Sequence, residues 1–311
     1  MMKDSSEAVV LTCAAKGPTG GITSGRLLGR STFLQRFNGV QWTEARSGGR
    51  ARAQKGTAVM LTPAQILEQA RLQLSCDFGC TPQALQAGQN VFVRSALCPG
   101  RRRFFDRAPF FHMVTMGGNA VLAADDAVLE PLRQYAEGLS GPGLFEYGNL
   151  RALEQLLQPY GKSLDRTYHI HLPLAAPADA PLAPTLTLRR YEQAQLAPLY
   201  AAGLFRNALH EQFVPECPDM LAVAALQGDR IVGVAGCAAD SPLFWQIGID
   251  VLPAARGCGV GTALVTLLRQ AVLERGCIPY YATSQANLFS RRIAQRCGFV
   301  PAWVEAETLE P

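Results

Sequence analysis

Between Val251 and Val265 the chain reads VLPAARGCGVGTALV, with Gly257, Gly259 and Gly261 at alternate positions. A glycine inside a helix or strand costs roughly 0.5–1 kcal/mol relative to alanine. Three at one junction therefore mark a tight turn, or a place where something must come close to the backbone. Ahead of them, LFWQIGIDVLP reads as a strand ending at Pro253. Behind them Val260, Leu264, Leu267, Leu268 and Ala271 share a helical stripe, and Gly276 is a fitting stop after Glu274 and Arg275. The segment is thus strand, glycine turn, helix. A helix N-terminus offers unpaired N–H groups and a partial positive charge, and Arg256 adds a full one. The ligand chemistry that suits this is a pyrophosphate.

Two common phosphate patterns are excluded. No Lys-Ser/Thr pair follows the glycines, so this is not a Walker loop. G-x-G-x-x-G fails at Thr262, and the acidic residue about 20 positions on, Glu274, falls in a helix rather than at a strand end.

The rest of the chain sets the context. Of 311 residues 48% are hydrophobic and 17% charged, enough for packed cores in about two domains. Residues 1–59 carry nine basic and three acidic residues, a balance of +6, so the remainder sums to −2. That near-neutral remainder gives no electrostatic case for nucleic acid. No apolar run reaches the ~18 residues of a bilayer span, so no membrane partner is expected. Nine scattered cysteines favour free thiols in a reducing, cytoplasmic setting. Cys76 and Cys80 form a lone C-x3-C, and His169 and His171 share one strand face; neither pair completes a metal site.

Residues 1–59 are glycine- and arginine-rich without sustained periodicity, and read as a disordered or artefactual extension, with a transit peptide as the alternative. Residues 60–174 read as a small mixed α/β domain. It opens at Thr62-Pro63, a capping box closed by Gln65, and Thr81-Pro82 repeats the start signal. Two strands turn about Gly117-Gly118-Asn119, and helices near 127–137 and 149–160 follow. Residues 175–184, with Pro177, Pro181 and Pro184, read as a stiff linker. Residues 185–311 read as β-α-β-β-β-α-β-α-β. Its first helix is expected near 192–202, a hairpin turns at Gly228-Asp229, Asn287 caps the last helix, and the strand–helix–strand links imply a partly parallel sheet.

The run V-x-P-x-x-R-G-x-G-V-G from Val251 to Gly261 resembles the acetyl-CoA signature of GCN5-related N-acetyltransferases, the GNAT family, with Arg256, Gly259 and Gly261 at its fixed positions. Asn287, Ser290, Gly298 and Phe299 resemble the family's second element, and the order of strands and helices agrees over roughly residues 185–309. The two-domain layout is similar to a bacterial-type GNAT acetyltransferase subgroup. The resemblance implies an α/β fold with a mixed sheet, the GNAT acyl-CoA N-acyltransferase fold, preceded by the small domain. It implies transfer of acetyl from acetyl-CoA, without a metal, to a primary amine of a small molecule or peptide N-terminus by direct attack. It also allows a homodimer. Acetyl-CoA would lie where the fourth and fifth strands of the domain splay. Its pyrophosphate would rest on Arg256, Gly257, Cys258, Gly259, Val260, Gly261 and Thr262, with Val251, Asn287 and Ser290 completing the cofactor site. The N–H of Val251 would meet the developing oxyanion.

The chain departs from the family at one position. The tyrosine that usually protonates the leaving thiolate is replaced by Ala294, leaving Ser290, Tyr280 or Tyr281 as substitutes. That departure is what would favour the other reading, a catalytically inactive CoA-binding regulatory or sensor module. For the base, Asp250 is the only carboxylate on its strand; His210, Glu211 and Glu216 lie in the segment expected to line the acceptor site. A chain beginning at Met60 should keep its Tm and CoA affinity. A fall of several degrees in a thermal melt would mean the extension packs on the fold, since about 1 kcal/mol shifts a domain of 150–250 residues by roughly 2–4 °C.

Overall fold

A computed structural model describes residues 61–102, 107–179 and 185–308. The expected N-terminal extension lies outside the described residues, as do Pro181 and Pro184 of the expected linker. All described residues belong to one compact unit.

The first half follows its local signals. Helix α1 (Pro63–Phe78) starts on the Thr62–Gln65 capping box and ends at Gly79, which takes the left-handed conformation. The second start signal, at Thr81, yields only a 3₁₀ turn over Pro82–Gln86. Strand β1 (Val91–Arg94) precedes the hairpin of β2 (Phe111–Thr115) and β3 (Ala120–Ala124). Helices α2 (Asp126–Ala136) and α3 (Tyr147–Leu157) lead to β4 (Leu164–Leu172).

The second half begins with β5 (Thr187–Glu192). The helix expected over 192–202 is shorter. Glu192 and Gln195 close a capping box around a 3₁₀ turn, and Pro198, which cannot donate inside a helix, sits in the first turn of a six-residue α4 (Ala197–Ala202). Strands β6 (Asp219–Gln227), β7 (Arg230–Ala239) and β8 (Phe244–Val251) form a meander. Then come α5 (Val260–Leu273), β9 (Ile278–Thr283), α6 (Leu288–Arg296, capped by Asn287) and β10 (Val300–Thr308).

These strands form one ten-stranded mixed sheet in the order β1-β3-β2-β10-β4-β9-β8-β7-β6-β5. Only β1–β3 and β8–β9 are parallel. The sheet runs straight through the boundary drawn between residues 174 and 185. The last strand, β10, pairs with β2 on one side and β4 on the other, and β4 pairs with β9. The two halves are therefore stitched at β10, β4 and β9. Helix α1 covers the seam: Ile66, Leu74 and Phe78 share a core with Val114 and Ile170 of the first half and Phe244, Tyr280 and Trp303 of the second. No helix among the described residues is long and apolar enough to cross a membrane.

A buried charge cluster locks the seam. Arg102 is 1% exposed. Its Nε donates to Asp77 Oδ2 of α1 at 2.6 Å and its Nη2 to Glu305 Oε2 of β10 at 2.7 Å. Its guanidinium also sits 5.7 Å from the Trp303 ring and 5.9 Å from that of Tyr280. Burial pushes the Glu305 carboxyl up, but the Arg102 charge and the hydrogen bond and charge of His112 together outweigh it and hold the group at about 2, below its ordinary 4.5. Arg102→Ala should leave two buried carboxylates uncompensated and cost about 3–5 kcal/mol in a urea unfolding curve. The depressed Glu305 pKa adds a pH signature. Its stabilisation is fully present above the unfolded value of about 4.3 and is lost as pH falls through about 2. Glu305→Gln should flatten that acid limb.

Candidate functional site

Strands β8 and β9 pair over three residues only, Phe244↔Ile278, Trp245↔Pro279 and Gln246↔Tyr280. Beyond Gln246, β8 continues to Val251 without β9, and β9 continues with β4 as its partner. The sheet is open between them, and a cleft of about 1550 Å³ occupies the gap. The direction of the free β8 groups follows from alternation. Leu252 N–H donates to Val232 O on β7, so Val251 and Ile249 aim theirs the other way, into the opening.

The glycine turn stands at the end of this opening. After a 3₁₀ turn over Pro253–Ala255, Gly257 and Gly259 both have φ of 79°, the left-handed region that disfavours side chains. Gly259 is the N-cap of α5 and has no side chain to satisfy the first-turn N–H groups, which have no intrahelical acceptor. Arg256 is exposed at the cleft wall and anchors its Nε on Val251 O at 2.9 Å. Gly261 has a packing role instead, since a Cβ there would lie 3.0 Å from Ile293 Cδ1 of α6.

Of the residues expected from the sequence, Val251, Arg256, Gly257, Gly259, Val260, Gly261, Thr262, Asn287, Ser290 and Asp250 all line this one cleft. Cys258 does not, although its backbone belongs to the turn. Asn287 spends its side-chain oxygen on capping α6, accepting from Ser290 N at 3.2 Å. Ser290 Oγ lies 2.9 Å from the Tyr281 hydroxyl, whose pKa burial pushes up to about 12. Tyr280 is fully buried, bonded to Asp240 and Gln246, and held protonated by that burial. Ala294 is buried and offers no hydroxyl. Glu211 is exposed and paired with Arg206 at 2.9 Å, outside the main cleft, while Glu216 lines it. Tyr168 of β4 brings a first-half side chain to the wall.

Asp250 has a definite partner set. Its Oδ2 accepts from Asn207 N at 2.7 Å and Ala208 N at 3.1 Å, and its Oδ1 from Asn207 Nδ2 at 2.7 Å. It clamps the segment after α4 onto the sheet. The floor beneath is a cross-strand glycine pair, Gly236↔Gly248. A Cβ on Gly248 would lie 1.8 Å from Asn207 O, and one on Gly236 2.2 Å from Ala208 O. Farther along, His210 Nδ1 lies 3.1 Å from Asp219 Oδ1, and Cys217 Sγ donates to Asp240 Oδ1 at 3.0 Å. Burial raises the Asp240 carboxyl above its ordinary value. Sequence reasoning missed Asn207, Asp219 and Asp240. The only signal was an aspartate at each of two strand ends, which strand alternation does not distinguish from a turn residue.

Among known proteins, residues 187–299 match the family model described as the acetyltransferase (GNAT) family. Solved structures similar to this chain include a GCN5-related N-acetyltransferase-like protein from Streptococcus suis. It is 16% identical over 53% of this chain and 69% of its own, with a TM-score of 0.36. Another is a GCN5-related N-acetyltransferase from Kribbella flavida, 18% identical over 51% of this chain and 64% of its own, TM-score 0.39. A third is an aminoglycoside N-acetyltransferase in complex with CoA, 22% identical over 38% of this chain and 89% of its own, TM-score 0.29. No curated protein matches the chain.

The glycine floor generates a test. Gly248→Ala should lift the 207–208 segment off the sheet, lowering stability by roughly 1–3 kcal/mol in denaturant unfolding while CoA affinity stays intact.

Proposed function

We propose, from the match of residues 187–299 to the GNAT acetyltransferase family model, that the chain transfers the acetyl group of acetyl-CoA to a primary amine of a small molecule or peptide N-terminus. The observation that carries this reading is the open β8 edge running directly into the left-handed glycines and the α5 N-terminus. The donor set fits the cosubstrate. The N–H groups from Gly257 to Thr262 face a pyrophosphate with no Cβ in front of Gly257, where an added one would meet nothing within 4 Å. The thioester supplies an activated acyl carbon and a good leaving group. Val251 N–H donates to the carbonyl oxygen as charge develops there during amine attack. Ser290, backed by the Tyr281 hydroxyl, is placed to return a proton to sulfur. A free thiol has a pKa of about 8.5, so protonation of the leaving group is a modest demand and the loss of the tyrosine at Ala294 is tolerable.

Ala294 is also the observation that favours the second reading, a CoA-binding sensor without turnover. Thiol release from acetyl-CoA in the presence of an amine separates the two. We assign Asp250 to holding the acceptor-side segment, because its oxygens already accept three hydrogen bonds.

Two outcomes are expected. Calorimetry should give binding of CoA or acetyl-CoA and none of comparable affinity for NAD or ATP, and Gly259→Glu should abolish it by setting a carboxylate where the pyrophosphate sits. Asp250→Asn should raise KM for the amine and cost roughly 1–3 kcal/mol of stability, since charge-assisted bonds to two N–H groups are weakened. A loss of kcat at saturating amine with unchanged KM and stability would return Asp250 to the chemistry.

A further inference from the structure

We infer that His210, held by the buried carboxylate of Asp219, is the general base that takes the proton from the acceptor amine. The inference rests on the acetyltransferase reading above and assigns that site a base which is not on the strand carrying the oxyanion donor.

The placement is geometric. Asp219 opposes Ala238 of β7, Ala238 opposes Gln246 of β8, and Gln246 opposes Tyr280 of β9. Gln246–Tyr280 is the last pair before the sheet opens. Asp219 thus stands in the row where the cleft begins, two strands or roughly 10 Å from β8 and five residues along it from Val251, so a proton from the reacting centre reaches His210 through water in the cleft. It is 1% exposed, whereas the His210 side chain is 37% exposed. His210 is the one imidazole among the residues lining the cleft. Both of its local contacts run to the same carboxylate: Nδ1 lies 3.1 Å from Oδ1, and the backbone N–H donates to Oδ2 at 3.0 Å. Three residues earlier the segment is clamped by Asp250. Residues 207–210 are therefore pinned at both ends, by β8 and by β6. Nδ1 sits beside that carboxylate without the alignment of a hydrogen bond, so the pair is held by charge, and Nε2 is the ring nitrogen left for the acceptor side.

In the step, the amine nitrogen forms a bond to the acyl carbon and the C–S bond breaks, its electron pair leaving on sulfur. The proton lost from nitrogen passes through water to Nε2 of His210, which becomes imidazolium beside Asp219 and later releases it to solvent. The thiolate takes its proton from solvent, with the Ser290 hydroxyl as relay. Charges facing His210 come from every side. They are Asp219 of β6, Asp240 after β7, Tyr200 of α4, Arg206 paired with Glu211, and Glu216 with Cys217 in the following loop. The Asp219 carboxylate beside the ring raises the His210 pKa above its ordinary 6.5, burial opposes it, and the Asp240 charge adds to the rise. The base form is the neutral ring, so activity should rise as pH climbs through that raised value.

The experiment uses the full chain with acetyl-CoA and a panel of primary amines spanning polyamines, aminoglycosides and amino-acid amides, following thiol release. For an amine that turns over, kcat/KM should climb with pH to a plateau, with an inflection above 6.5 that does not move between two acceptors of different basicity. His210→Gln should lower kcat/KM by roughly 10²–10⁴ and remove that inflection. Asp219→Asn should shift it downward. CoA affinity, by calorimetry, should be unchanged in both. If buried Asp219→Asn fails to fold, the half-exposed His210 substitution decides alone. Turnover by His210→Gln at the wild-type rate, or with the inflection retained, overturns the inference and leaves acetyl transfer standing. No thiol release with any amine, despite CoA binding, overturns both.

Discussion

A guanidinium with almost no contact to water has to be surrounded, and in this chain Arg102 takes its surroundings from three distant places. Asp77 comes from α1, Glu305 from the last strand, and the Tyr280 and Trp303 rings from β9 and β10. Meeting that demand forces the C-terminus back into the first half of the molecule. Strand β10 can bring Glu305 to Arg102 only by lying between β2 and β4. Once it does, β4 becomes the neighbour of β9. A buried pair of this kind adds less stability than a well-packed apolar substitute would, because desolvation offsets attraction. What it contributes here is placement: an apolar cluster could tolerate β10 in a slipped register, whereas Glu305 has one position from which it reaches Arg102.

The cleft depends on that placement. A strand has two edges, and β9 divides its length between them. Its first three residues pair with β8, and Tyr281 to Thr283 pair with β4. Because β4 satisfies the far end of β9, the near end of β8 can leave the ladder without stranding β9. The N–H groups left facing the gap belong to Ile249 and Val251, where a ligand carbonyl can replace the missing strand. Tyr280 ties the two levels together, with its ring beside Arg102 and its hydroxyl on Asp240 and Gln246 at the point where the strands part.

Much of this was legible in the sequence wherever the information was local. The Thr62 capping box, the Gly117–Asn119 hairpin, the Gly259 turn and the Asn287 cap each depend on a few adjacent residues, and each stands where its signal lies. The helix after β5 was overextended because Pro198 reads equally well as an early helical residue of a long helix or the first turn of a short one. The seam could not be read. Proline-rich residues near 175–184 look like a spacer between separate bodies, and nothing local tells that β10 returns across it. Pairing between Glu305 and Val114, far apart in sequence, leaves no periodic trace in either segment. The glycine run located one wall of the cleft because it is contiguous in the sequence. The opposite wall is assembled from the 207–219 segment and the ends of β6, β7 and β8, and its members are scattered.

Asp250 and Asp219 illustrate what only the fold decides. In the sequence both are lone aspartates at the ends of apolar strands. In the structure each is a carboxylate holding the same short segment, and their donors set them apart. Asp250 accepts from two backbone N–H groups and an amide, donors that cannot exchange a proton near neutral pH, and on the proposed reading it serves as a clamp. Asp219 accepts from one backbone N–H and faces an imidazole, the one side chain whose ordinary pKa lies within reach of neutrality. A carboxylate beside an imidazole transmits its charge to a group that can lose and regain a proton. A carboxylate beside amides transmits only position. On the proposed reading, β8 therefore contributes position beside Val251, and proton exchange falls to His210, on the segment that both carboxylates pin.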